Sequence, residues 1–303
     1  MQLYLILKSK IMDLNNKLKN IPKIYYINLN ERPDRKNYIE SQFDELKINN
    51  WERYSASKYR IENLEDWQSL LSYKPNVNSS LTDIIWTAQT ITYLNLIEDW
   101  LITTTDKYAI IIEDDYDLLM SKYWHFDWEF FMNNIPYDWD IIQLSYENPF
   151  VYPCFLHPTL DSSGVGALLI NRHFAEKLIR LHKIDGKYFI HKTKNKMSSF
   201  CWSNQGEPPN DIQESLNFEY LMKIGRSYSI PLMYSSVDWG QHDELNNAGA
   251  AQYKCFKQCE YACKYWWIKI RDKFTLDEFF TYGKPNDHYV IFNKSRMSRE
   301  PLL

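Results

Sequence analysis

The chain has 303 residues, 45% of them hydrophobic and 24% charged, which suits a soluble α/β domain with a sizeable core. It holds only 8 glycines, none before Gly164, so the clustered glycines of a dinucleotide fingerprint or a phosphate-cradling loop are excluded from the first half, as are collagen-like and Gly-rich disordered chains. A net charge of −4 without a basic stripe argues against non-specific nucleic-acid binding, which depends on clustered cations.

The N-terminal apolar run, Leu3 to Leu7, meets Lys8 and Lys10 at once and is too short for a membrane span or a good signal peptide. No membrane span is expected anywhere. Ile24 to Leu29 reads as a first strand and Arg35 to Leu46 as a helix through Tyr38, Ile39, Phe43 and Leu46. A loop at Asn76 to Ser80 precedes a helix over Asp83 to Thr103. That helix feeds the most apolar strand, Tyr108 to Ile112. Trp139 to Leu144 and Val165 to Ile170 are further short apolar runs, and Phe174 to Leu181 is helical. This alternation predicts a mainly parallel sheet with helices on its faces and a site at the carboxyl ends of its strands. After a polar loop, His191 to Pro209, come a helix over Asp211 to Met222, a strand over Ser229 to Tyr234 and a helix over Tyr253 to Lys273.

The last helix carries Cys255, Cys259 and Cys263 on one face beside Trp266 and Trp267. Three thiolates spaced along a helix at 1.5 Å per residue span about 12 Å, too far for one zinc, so the stripe reads as a packing surface. It would pack on the domain or on a partner, such as a second copy in a homodimer. The odd total of five cysteines points to a reducing compartment and a cytoplasmic location.

The strongest chemical signal is YAIIIEDDYDLL, in which a buried strand runs into Glu113, Asp114, Asp115 and Asp117. Such carboxylates can hold Mn²⁺ or Mg²⁺, which prefer hard oxygen ligands. Strand alternation would put Glu113 and Asp115 on one face and Asp114 on the other. The alternative is that these acids cap the following helix. IYYINLNERPDRK supplies the opposite charge: Arg32, Arg35 and Lys36 suit a diphosphate and Asn28 a base or ribose, unless the cluster is a solvated helix start capped by Asp34.

In order along the chain, INLNERPDR, IIIEDDYDL, DWDIIQLSY, GVGALLINRHFAEKLI and DIQESL resemble stretches of glycosyltransferase family 25. This is the family of lipooligosaccharide and procollagen galactosyltransferases, which also has members in giant viruses. The likeness covers about residues 22 to 245. It departs at Gln89 and Thr90, where the family usually carries Ser-His, and at Asn210, where it carries proline. The resemblance implies a GT-A type, Rossmann-like single domain at 22–250, between an N-terminal extension at 1–21 and a helical C-terminal extension at 251–303. It also implies a metal-dependent, inverting transferase that uses a UDP-sugar donor and a hydroxyl acceptor on a glycan or glycoprotein. A viral member would work in the host cytoplasm or the virion. Glu113 and Asp115 would hold Mn²⁺ or Mg²⁺ with His242, and Asn28, Arg32, Arg35 and Asp114 would face the donor. Asp211 or Glu214, three apart on one helical face, would be the base. His242 is otherwise a surface or core histidine, and Asp211 otherwise an N-cap. Trp86, Trp202 and Trp239 are candidates for packing on a sugar ring. Two other classes remain open: a catalytically impaired glycan- or partner-binding module, and a metal-dependent phosphoester hydrolase.

Overall fold

A computed structural model describes residues 17–72, 81–145, 152–153, 156–158, 166–189, 225–236, 257, 259–270, 275–280 and 289–290. Its centre is a mixed sheet built from β1 (Ile24–Asn28), β2 (Trp51–Ser55), β3 (Tyr108–Glu113), β4 (Tyr116–Asp117), β5 (Ile141–Ser145), β6 (Ala167–Asn171) and β7 (Ser227–Ser235). The spatial order is β2-β1-β3-β6-β5-β7-β4, with the short strand His157–Pro158 also against β7. β1 is parallel to both β2 and β3, and β5 is parallel to β7.

Within the sheet β6 departs from the expected parallel arrangement, running antiparallel to both β3 and β5, and the short β4 is likewise antiparallel to β7. The described residues between β5 and β6 are extended pairs, and His157–Pro158 pairs antiparallel with β7, so no described helix crosses a face before β6. A parallel return requires such a crossover; an antiparallel one does not. β2 has no apolar run to announce it. In WERYS two of five residues are charged, which suits the sheet edge it occupies.

Helix α1 (Pro33–Leu46) starts two residues earlier than its apolar spacing suggests, because Pro33 occupies the first turn, where its missing N–H is not needed. It ends at Lys47, whose left-handed backbone (φ 54°) returns its N–H to the carbonyls of Phe43 and Asp44. α1 buries Ile39, Phe43 and Leu46 against Ile24, Tyr26, Ile110 and Ile112 on one face of the sheet. α2 (Leu81–Thr103) and α3 (Arg172–His182) cover the other face, where Ile91, Leu94, Ile97, Phe174 and Leu178 meet Tyr25, Ala109 and Ile111. Odd and even positions of β1 and β3 thus feed two separate cores.

Described residues near the C-terminus join the α1-side core. Cys263, Trp266, Trp267 and Phe279 are buried there with Trp124, Phe126 and Phe131. The Trp267 indole donates to Pro231 O on β7 at 2.5 Å, and the Cys263 thiol lies 3.7 Å from the same oxygen. The cysteine stripe is therefore a packing surface within the chain, and burial pushes the Cys263 thiol pKa up. The side chains that suggested a homodimer contact are engaged in the chain's own core; Cys255 lies outside the described residues. Among the described residues no helix is long and apolar enough to cross a membrane.

Candidate functional site

β1 lies between β2 and β3, so the chain moves one way across the sheet after β1 and the other way after β2. Such a reversal opens a crevice at the carboxyl ends of the two central strands, where open α/β sheets bind ligands. Here the crevice lies between the ends of β1 and β3. Ile27 is in register with Glu113, so Asn28 and Asp114 meet one step further on.

Glu113, the last residue of β3, continues the alternation toward α2. Its Oε1 accepts from Gln89 Nε2 at 2.5 Å and from the Tyr93 hydroxyl at 3.1 Å. Asp114 turns to the α1 side. Its Oδ2 accepts from Asn28 Nδ2 at 2.6 Å, and its Oδ1 is 3.3 Å from Arg35 Nη1. Asp115 does not return to the Glu113 face as an extended strand would require. Its Oδ2 is 3.8 Å from the same Arg35 nitrogen, because the chain turns at Asp114 and Asp115 before entering β4. The expected Glu113–Asp115 pair is thus replaced by an Asp114–Asp115 pair on Arg35.

Asp117 is held apart from them. It accepts from the Tyr234 hydroxyl at 2.5 Å and from the N–H of Leu119, the first residue of a 3-10 turn, at 2.8 Å. Asp117 is thus used in a local turn at the head of this 3-10 helix, whose cap position is Leu118.

Of the basic cluster only Arg35 reaches the acids. Arg32 turns outward to Asp34, with Nη2–Oδ2 at 2.8 Å, because it precedes the helix and its neighbour in the first turn carries the nearest carboxylate. Asn28 is 2% exposed, and the protein itself uses its amide: Nδ2 donates to Asp114 and to Arg32 O (3.1 Å), while Oδ1 accepts from Arg53 Nε at 2.8 Å. Its amide thus supports Asp114. Asp211, Glu214, His242, Trp202 and Trp239 lie outside the described residues, as does the side chain of Trp86.

Arg53, Gln89 and Tyr93 are the site residues that sequence reasoning missed. Arg53 sits in the edge strand β2, which carries no periodic signal. Gln89 stands out only as a departure from a family pattern, but Tyr93 lies four residues on and so shares its helical face.

Burial pushes the Asp114 pKa up to about 6, with the adjacent Asp115 charge adding to the rise; Arg35 and Asn28 oppose it. Two carboxylates lie against one guanidinium, and a cation beside Asp114 would favour its charged form. Among the described residues no group of three or more His, Cys, Asp or Glu side chains is gathered to hold a metal. Mg²⁺, however, is commonly held by one or two carboxylates, with water and substrate phosphates completing its shell. Asp114 and Asp115 fit that smaller share, and Glu113, engaged by α2, does not join them.

No family model matches the chain, and no curated protein does. Among solved structures it is similar to the crystal structure of A197 from STIV, at 10% sequence identity and a TM-score of 0.33, over 71% of this chain and 84% of that one. A likeness that slight carries no argument about function.

Proposed function

We propose that this chain is a metal-dependent, inverting glycosyltransferase of family-25 type with a GT-A type fold, which takes galactose, glucose or N-acetylglucosamine from a UDP-sugar to a hydroxyl of a glycan or glycoprotein. The observation that carries the reading is the Asp114–Asp115 pair on Arg35 at the junction of β1 and β3, joined to the family-25 resemblance of the same segments. Asp114 and Asp115 would hold Mn²⁺ or Mg²⁺, which when bound would neutralise charge on the leaving diphosphate. Arg35 adds a fixed donor fork of the kind that suits phosphate oxygens. A carboxylate on the acceptor side, Asp211 or Glu214, would take the proton of the attacking hydroxyl. His242 follows β7 in sequence, and β7 ends beside the acidic turn, where Ser236 N–H donates to Asp115 O at 2.5 Å.

A panel of nucleotide sugars, assayed for UDP release with Mn²⁺ and then with EDTA, tests the proposal. One UDP-sugar is expected to turn over with Mn²⁺ and to stop with EDTA, and Asp115→Asn is expected to abolish turnover and weaken UDP binding. Normal turnover by Asp115→Asn would remove the metal assignment. A second reading, an impaired binding module, draws on Gln89 and Thr90, which stand where the family usually carries Ser-His, and on the Arg35 guanidinium that already lies against both carboxylates. Calorimetry showing Mn²⁺-dependent UDP binding without turnover of any donor would favour it. Hydrolysis of simple aryl phosphates would favour a phosphoester hydrolase.

A further inference from the structure

We propose that Arg53 is a positioning residue for Asp114, acting through the side-chain amide of Asn28. The inference rests on the proposed function for its ligand and on geometry alone for its mechanism. Arg53 is in register with Tyr26, and Asn28 lies two residues further along the same side of β1, so the guanidinium lies along the strand toward the site. Arg53 Nε donates to Asn28 Oδ1 at 2.8 Å, and Nη2 donates to Asn30 Oδ1 at 2.7 Å, with Ser55 Oγ on that same oxygen at 3.0 Å. The guanidinium is thereby held between two acceptors at and just past the end of β1.

An asparagine amide can sit in either of two orientations related by a half-turn, and its partners decide between them. Arg53 presents only donors, so the carbonyl oxygen of Asn28 must face it. The NH₂ group is then left to donate to Asp114 Oδ2 at 2.6 Å and to Arg32 O at 3.1 Å. A flipped amide would set donor against donor at Arg53 and oxygen against oxygen at Asp114. Arg53 in the middle of β2, Asn28 at the end of β1 and Asp114 just past the end of β3 therefore form a chain in which the first sets the last. With Oδ2 fixed by Asn28 and Oδ1 by Arg35, Asp114 is kept in one rotamer.

The test uses the full-length protein labelled with ¹⁵N-asparagine and two readouts: the Asn28 side-chain amide resonances without ligand, and calorimetric binding of UDP in Mn²⁺. Arg53→Met is expected to shift the Asn28 amide pair, speed its proton exchange and weaken UDP binding about tenfold. Arg53→Lys, which keeps a donor and the charge, is expected to stay closer to wild type in both. Should Arg53→Met fail to fold, Asn28→Asp sets a carboxylate against Asp114 while keeping an acceptor for Arg53, and is expected to weaken UDP binding at least as much. Unchanged amide resonances in Arg53→Met, shifted resonances with unchanged affinity, or wild-type affinity in Asn28→Asp would each overturn the proposal. A wild-type protein that binds neither Mn²⁺ nor UDP would overturn the functional reading instead, and the amide resonances would still decide the role of Arg53.

Discussion

Asp114 is the residue on which burial and charge act most clearly against each other. The residue is 6% exposed and its pKa rises from an ordinary 3.8 to about 6. A carboxyl with a raised folded-state pKa is protonated more readily in the fold than in the open chain. Below about pH 4 both states hold the proton and the group contributes nothing. As pH rises toward 6 the unfolded chain ionises first, and above that the fold bears a buried charge that disfavours it by roughly 3 kcal/mol at about 1.4 kcal/mol per unit. Asp114→Asn is therefore expected to melt above wild type at pH 8 in EDTA, with the gap closing as pH falls through 6 toward 4. Thermal melts across that range check it, and a gap independent of pH would remove burial as the cause. The same burial gives Asp114 a reason to accept a cation, since a divalent charge beside it would favour its ionised form.

At the scale of elements, the turn from β3 to β4 depends on a close approach that only glycine permits. Gly166, just before β6, lies against the buried Tyr116 ring; a Cβ there would sit 2.2 Å from Tyr116 Cε2. Its carbonyl also accepts from Glu113 N at 2.8 Å, so the same residue closes the end of β3. Gly166→Ala is expected to destabilise the protein by about 1 to 3 kcal/mol, the usual range for overpacking, and to displace the acidic turn. Chemical denaturation measures the first effect. Adding Tyr116→Leu to Gly166→Ala should recover part of the loss, whereas a purely additive double variant would mean that the ring contact is not the cause.

At the scale of the molecule, the two faces of one sheet hold separate cores, and the described C-terminal residues complete one of them. Trp267, 0% exposed, joins them to β7 through Pro231 O and packs at 5.1 Å from Phe279 and 5.8 Å from Phe126, centroid to centroid. Trp267→Ala is expected to reduce stability by about 3 to 5 kcal/mol, as deletion of a buried aromatic commonly does. If the segment belongs to the same cooperative unit, fluorescence and far-UV dichroism should report coincident unfolding transitions in wild type and variant. Two separated transitions in wild type would instead mark the segment as an independent appendage.

Much of this architecture was legible in the sequence. Apolar runs such as Ile110 to Ile112 and the helical spacing of Ile91, Leu94 and Leu101 follow from burial on a strand or a helix, and burial is a local, periodic demand that residues meet one at a time. The gathering of Asn28, Arg35 and the acids at one edge was legible too, because alternating strands and helices direct parallel strands' carboxyl ends to a common side. Pairing was not. Whether β6 returns parallel or antiparallel, and which acid faces which helix, depends on the path of the chain between elements, where a single turn at Asp114 and Asp115 exchanges the partners that alternation predicts. Arg53 lies beyond local reach for the same reason. Nothing in WERYS distinguishes a solvated arginine from one that holds an asparagine amide, because its partner is supplied by the neighbouring strand of the sheet.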